Sequence, residues 1–83
     1  MWYENKAHFR RVVLRALKHI PNAGLRPVTA EVQYLLHTEV PIGVLPREED
    51  VYVVLKELSA QRKVHIYTDS RTGGMRYSRT LYA

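Results

Sequence analysis

The chain has no cysteine. That absence removes disulfides, thiolate metal sites and cysteine nucleophiles together, and it fits a reducing compartment. Long apolar runs are missing as well. The longest, such as Val12 to Leu14 and Val51 to Leu55 with Tyr52 inside, fall far below the roughly 18 residues that a membrane span needs. The start, Met1-Trp2-Tyr3-Glu4, has neither the basic opening nor the apolar stretch of a signal peptide, so the cytoplasm is the expected location.

The residues that catalysis needs are present but scattered. His8, His19, His37 and His65 stand on different segments and never at the close spacing of a helical metal pair. Ser59, Ser70 and Ser78 have no G-x-S-x-G context. Gly73-Gly74 is a lone pair whose freedom at positive backbone angles suits a hairpin loop without any phosphate. Carboxylates crowd only at Glu48, Glu49 and Asp50, adjacent in sequence as at the start of a helix. The expectation is a non-enzyme with no cofactor and no metal.

What remains is 83 residues, 46% hydrophobic and 25% charged, which predicts one small soluble domain over residues 1–83. A chain of this size buries only about two-thirds of its unfolded surface, so nearly all large apolar residues must serve one core. The net charge of +5 is unevenly placed. Residues 1–20 hold five cations against Glu4, and residues 61–83 hold five against Asp69. Residues 21–46 and 47–60 each carry an excess of carboxylates. A basic protein of this size usually meets a polyanion, and the charge at its two ends says which surfaces would do so.

Periodicity divides the chain into four segments. From about 3 to 20, Phe9, Val12, Val13, Ala16, Leu17 and Ile20 recur at helical spacing, and Pro21-Asn22-Ala23-Gly24 ends the helix. His8, Arg11, Arg15 and Lys18 form a basic stripe on its other side, either a solvated face or one turned to phosphates. A second helix is expected at about 29–38, with Thr29 as N-cap, Val28 in a short extended piece before it, and Val32, Leu35, Leu36 and Val40 inward. Thr38 to Pro46 reads as a connection, long for a tight turn. The third helix, about 47–61, opens on Glu48, Glu49 and Asp50, which suit its dipole, and buries Val51, Val54, Leu55 and Leu58. Lys63 to Tyr82 then alternates with period two around the loop 69–74 and reads as a β-hairpin. Alone it would be marginal in water, so it must pack on the helices. The expected core is Phe9, Val13, Leu17, Val32, Leu35, Leu36, Val51, Leu55, Leu58, Val64 and Ile66.

Three helices followed by a hairpin with a basic loop resemble the winged helix-turn-helix domains of transcriptional regulators, an α+β fold. The resemblance rests on Val51, Leu55 and Leu58, on Val64-His65-Ile66 as a first wing strand, and on Val28-Thr29-Ala30-Glu31-Val32. It implies sequence-specific binding of double-stranded DNA. The third helix would read base edges through Tyr52 and Lys56, with Arg47 on a phosphate at its entry. Arg71, Arg76 and Arg79 would place three guanidinium groups on the wing, with Arg62 and Lys63 at its base. Arg62 stands where such domains often place a left-handed glycine, a conformation that costs an arginine about 1 to 2 kcal/mol. Winged helices also serve as protein-docking modules, and the acidic start of the third helix suits that alternative. Trp2, Tyr3, Tyr77 and Tyr82 exceed what a small core obviously needs; packing between terminus and hairpin is the plainer account, and a homodimer contact by some of them is the other. The small size fits a stand-alone regulator of the sort that mobile elements often encode.

Overall fold

The computed structural model describes residues 2–39 and 43–83. The elements run α1 (Lys6–His19), α2 (Leu25–Glu39), α3 (Glu48–Ala60), β1 (Val64–Thr68) and β2 (Met75–Arg79), an α+β arrangement consistent with a winged helix. α1 begins three residues later than expected because Asn5 caps it, accepting the His8 amide at 3.0 Å. Trp2 to Glu4 form a turn before it. Its last amide bond, from Ile20 to the Ala16 carbonyl, closes just before Pro21.

α2 begins at Leu25, not at Thr29. Pro27 falls in its first turn, where the missing amide hydrogen would have had no helical partner, so the proline that suggested a boundary is tolerated inside the helix. Thr29 is therefore not an N-cap. It lies on the inner face of α2, and its hydroxyl is buried without a hydrogen-bond partner among the described residues. Val28 is likewise helical and fully buried, and the extended residue is Ala23, whose carbonyl accepts the Tyr77 amide at 3.0 Å. Val40, expected in the buried stripe, lies outside the described residues, as do Pro41 and Ile42 of the connection.

α3 matches its expected span within a residue at each end. Asp50 in its first turn accepts the Arg47 amide at 2.9 Å. The exit is a Schellman turn, in which the Lys63 amide reaches the Leu58 carbonyl and the Arg62 amide reaches that of Ser59. That turn holds Arg62 at φ +61°, so an arginine does occupy the left-handed position.

β1 and β2 pair antiparallel with Val64 opposite Arg79 and Ile66 opposite Tyr77. Gly73, at φ +76°, lets the loop turn back so that its amide reaches the Asp69 carbonyl. Alternation sends Val64, Ile66 and Tyr77 inward and His65, Tyr67, Arg76 and Ser78 outward.

The three helices and the inner hairpin face share one core around Phe9, Leu17, Val32, Leu55 and Leu58. Every residue expected there is buried except Ile66, which is half-buried against it. Tyr77, counted as surplus, is 1% exposed. It belongs to the core and cannot serve a homodimer contact.

Candidate nucleic-acid interface

The outward side of α3 is decided by its buried residues. Val51, Val54, Leu55 and Leu58 occupy the inner face, which leaves Glu49, Tyr52, Val53 and Lys56 exposed. Tyr52 and Lys56 are one turn apart, and the ammonium lies 6.0 Å from the centre of the Tyr52 ring. The structure thus brings the two expected base-reading side chains together. Tyr52 also sits near Tyr77, whose phenol is pushed up from its ordinary pKa by burial and further by Tyr52.

Around that pair the remaining cations fall at different positions. Arg47 is exposed at the entry of α3 and borders an open groove of about 430 Å³ between α2 and α3. Arg26, in the first turn of α2, lines the same groove. The sequence reading missed it because the helix seemed to start three residues beyond it. Glu48 and Glu49 line this groove too, so the cations there face carboxylates of their own chain. Arg62 is exposed and Lys63 half-buried at the exit of α3, where the Arg62 carbonyl accepts the Thr80 hydroxyl.

The hairpin does not present its three arginines together. Arg71 is exposed at the loop. Arg76 lies on the outer face, where its Nε and Nη2 donate to Asp69 at 3.2 and 3.1 Å and its Nη1 to the Asn22 carbonyl at 3.4 Å. Arg79, three residues on, sits on the opposite face beside Val64 at the start of β1. Asp69 organises the loop, since its Oδ1 accepts the Arg71 amide at 2.9 Å. That bond, and then the Arg76 guanidinium, hold the Asp69 carboxyl below the usual carboxylate range.

The basic stripe of α1 is split: part of it is paired with α2, which neither reading anticipated, and part of it is exposed. His8 and Arg15 reach Glu39, at 2.7 and 3.7 Å, so this part of the stripe faces α2. His19 meets Glu31 at 3.3 Å along the same seam. Arg11 and Lys18 remain exposed and make no ion pair among the described residues. Arg10, on the other flank, reaches Glu57 of α3 at 3.4 Å.

A second concavity of about 210 Å³ lies on the far side of α3, where Trp2, Tyr3 and Phe9 face Val53, Val54, Asp50 and Glu57. Trp2 packs against Phe9 at 4.9 Å between ring centres and donates its indole N–H to the Val44 carbonyl at 2.7 Å. Among the described residues no three histidine or carboxylate side chains come together as a metal site, and no helix is long and apolar enough to cross a membrane. No protein-family model matches the chain, and no curated protein matches it at a significant level.

Proposed function

We propose that the protein binds double-stranded DNA sequence-specifically, as a small cytoplasmic transcriptional regulator that works by binding alone. The carrying observation is the exposed Tyr52–Lys56 pair on the outward side of α3. A helix of this size fits the major groove, and a lysine there can donate to guanine O6 and N7. Arg26 and Arg47 border the entry of α3, Arg62 and Lys63 its exit, and Arg71 the tip of the hairpin, each able to meet phosphate. Glu48 and Glu49 repel phosphates and thereby restrict how the helix can approach, which favours one docking angle over uniform attraction.

The test is duplex binding measured against salt and sequence. Affinity should fall steeply as salt rises, because phosphate contacts release counterions. Lys56→Ala should change the preference at one base pair. Salt-independent binding, or a sequence preference unmoved in Lys56→Ala, would reject the reading.

A second reading draws on the other flank of α3. The concavity beside Trp2 and Val53 is mostly apolar with Asp50 and Glu57 at its edge, and Val53 is 55% exposed. A protein partner, or a second copy of the chain, would be expected there. Val53→Asp should then weaken a protein complex and leave DNA affinity unchanged.

A further inference from the structure

The outer face of the hairpin is turned away from the helices and takes no part in the duplex reading apart from Arg71 at its tip. It is not a bland polar surface. His65 and Tyr67, successive outward residues of β1, stack with their rings 5.3 Å apart and only 17° from parallel. The Tyr67 hydroxyl donates to Asn22 Oδ1 at 2.8 Å, which anchors the ring over the sheet. Stacking is an expensive way to solvate a strand, since it leaves two flat π-surfaces at the protein surface.

On the loop side of the Tyr67 ring an open pocket of about 470 Å³ begins, bordered by Asn22, Asp69, Ser70, Arg71 and Arg76. His65 thus backs the Tyr67 ring, and Tyr67 also lines a space large enough for a flat heterocycle. The pocket offers hydrogen-bonding groups of both kinds: the Asn22 amide, the Ser70 hydroxyl and the Asp69 carboxylate. Asp69 and Arg76 neutralise each other at 3.1 Å, while Arg71 makes no ion pair among the described residues. The hairpin segment, residues 61–83, carries five cations against Asp69 alone.

The geometry points to the outer face of the hairpin as a binding site for single-stranded nucleic acid, with an unpaired base stacked on Tyr67 and its phosphate on Arg71. Duplex DNA cannot use this site, because its bases are already stacked on each other and present only their edges. Flat aromatic surface flanked by positive charge is what an unpaired strand needs, since every base has a π-face and every linkage a phosphate. The site is independent of Tyr52 and Lys56, so it can stand or fall without the duplex reading.

The probe is a fluorescein-labelled oligothymidylate of about 15 nucleotides, within the span such sites cover and unable to pair with itself. Its anisotropy is followed on the whole chain at low and moderate salt. Tyr67→Leu should weaken binding by about 5- to 150-fold, the usual range for one lost stacking partner, and His65→Ala, which removes the ring that backs Tyr67, by a smaller factor. Tyr67→Phe keeps the ring and should stay within about twofold of the parent, which separates stacking from a loosened hairpin. Tyr34→Ala, on the exposed face of α2, should have no effect. Ring protons of His65 and Tyr67 should shift upfield on addition of the strand. No binding to the probe overturns the proposal. So does an affinity that Tyr67→Leu and His65→Ala leave unchanged while Arg71→Ala lowers it, because the strand would then be held by charge alone. An equal loss in Tyr67→Phe and Tyr67→Leu would also overturn it. Duplex binding is read separately through Lys56→Ala, so the two failures cannot be confused.

Discussion

The two flanks of α3 come from one stretch of helix and differ in almost every property a partner would sense. One carries Tyr52, Lys56 and Ser59 and places an ammonium beside an aromatic ring. The other carries Asp50, Val53 and Glu57 and faces the aromatic rings of Trp2, Tyr3 and Phe9 across an apolar hollow. The helical repeat alone produces this division, because residues three and four apart share a flank while neighbours in sequence do not. The acidic entry that sits badly with DNA is therefore not spread over the helix. Asp50 turns back to cap the Arg47 amide, Glu57 is taken by Arg10, and only Glu48 and Glu49 remain near the groove that Arg26 and Arg47 line.

The largest expected effect removes both flanks together. Leu55 is fully buried beneath them, so Leu55→Ala should cost about 2 to 5 kcal/mol in a denaturant titration. A loss under about 1 kcal/mol would mean that the helix buries another face.

The next separates the flanks. Lys56→Ala should cost about 1 to 3 kcal/mol of discrimination at a single base pair in a mobility-shift series over variant duplexes. Glu49→Gln should leave duplex affinity level or raised. If the lysine variant reads sequence normally and Val53→Asp loses a protein partner, the apolar flank is the functional one.

A smaller effect concerns the exit of the helix. Arg62→Gly should stabilise the fold by about 1 kcal/mol, since glycine takes φ +61° without the steric cost that arginine bears. The same change should flatten the salt dependence of duplex binding by about one unit of slope if Arg62 meets a phosphate. Destabilisation would show that the arginine side chain contributes packing that outweighs its backbone strain.

The smallest is a pH effect in the hairpin. Asp69 has a folded pKa below its ordinary value of 3.8, so its contribution is fully present above about pH 4 and is lost as the pH falls through the lowered folded value. Amide exchange at Arg71 and Gly73 should accelerate in that acid range, and Asp69→Asn should remove the acid dependence. An acid transition that persists unchanged in Asp69→Asn would place its origin elsewhere.

Much of the fold was legible because it is written in periodicity. The 3.6-residue recurrence of Phe9, Val13 and Leu17 and of Val51, Leu55 and Leu58 fixes which sides of α1 and α3 turn inward, and the period of two after Lys63 marks the hairpin. The start of α2 was hidden by Pro27, because a proline reads as a boundary although the first turn tolerates it. With the start misplaced, Arg26 fell outside the helix and Thr29 onto a cap it does not form. Tyr77 was missed for a different reason. Short strands carry only one or two large residues per face, and a tyrosine there reads as amphipathic until Ala23 is seen beside it. The shared outward side of Tyr52 and Lys56 followed from helical spacing and their role from the resemblance, whereas the capture of Arg76 by Asp69 required the hairpin register that brings residues seven apart together.

The Trp2 indole, bonded to the Val44 carbonyl and pressed on Phe9, has an optical consequence. It is the only tryptophan in the chain, so the intrinsic emission excited at long wavelength comes from a single fluorophore at the mouth of the apolar hollow. Occupation of that hollow should move the emission maximum, whereas a duplex engaging Tyr52 and Lys56 on the opposite flank should leave it in place. A label-free spectrum of the unmodified protein thus reports which side of α3 a given partner has chosen.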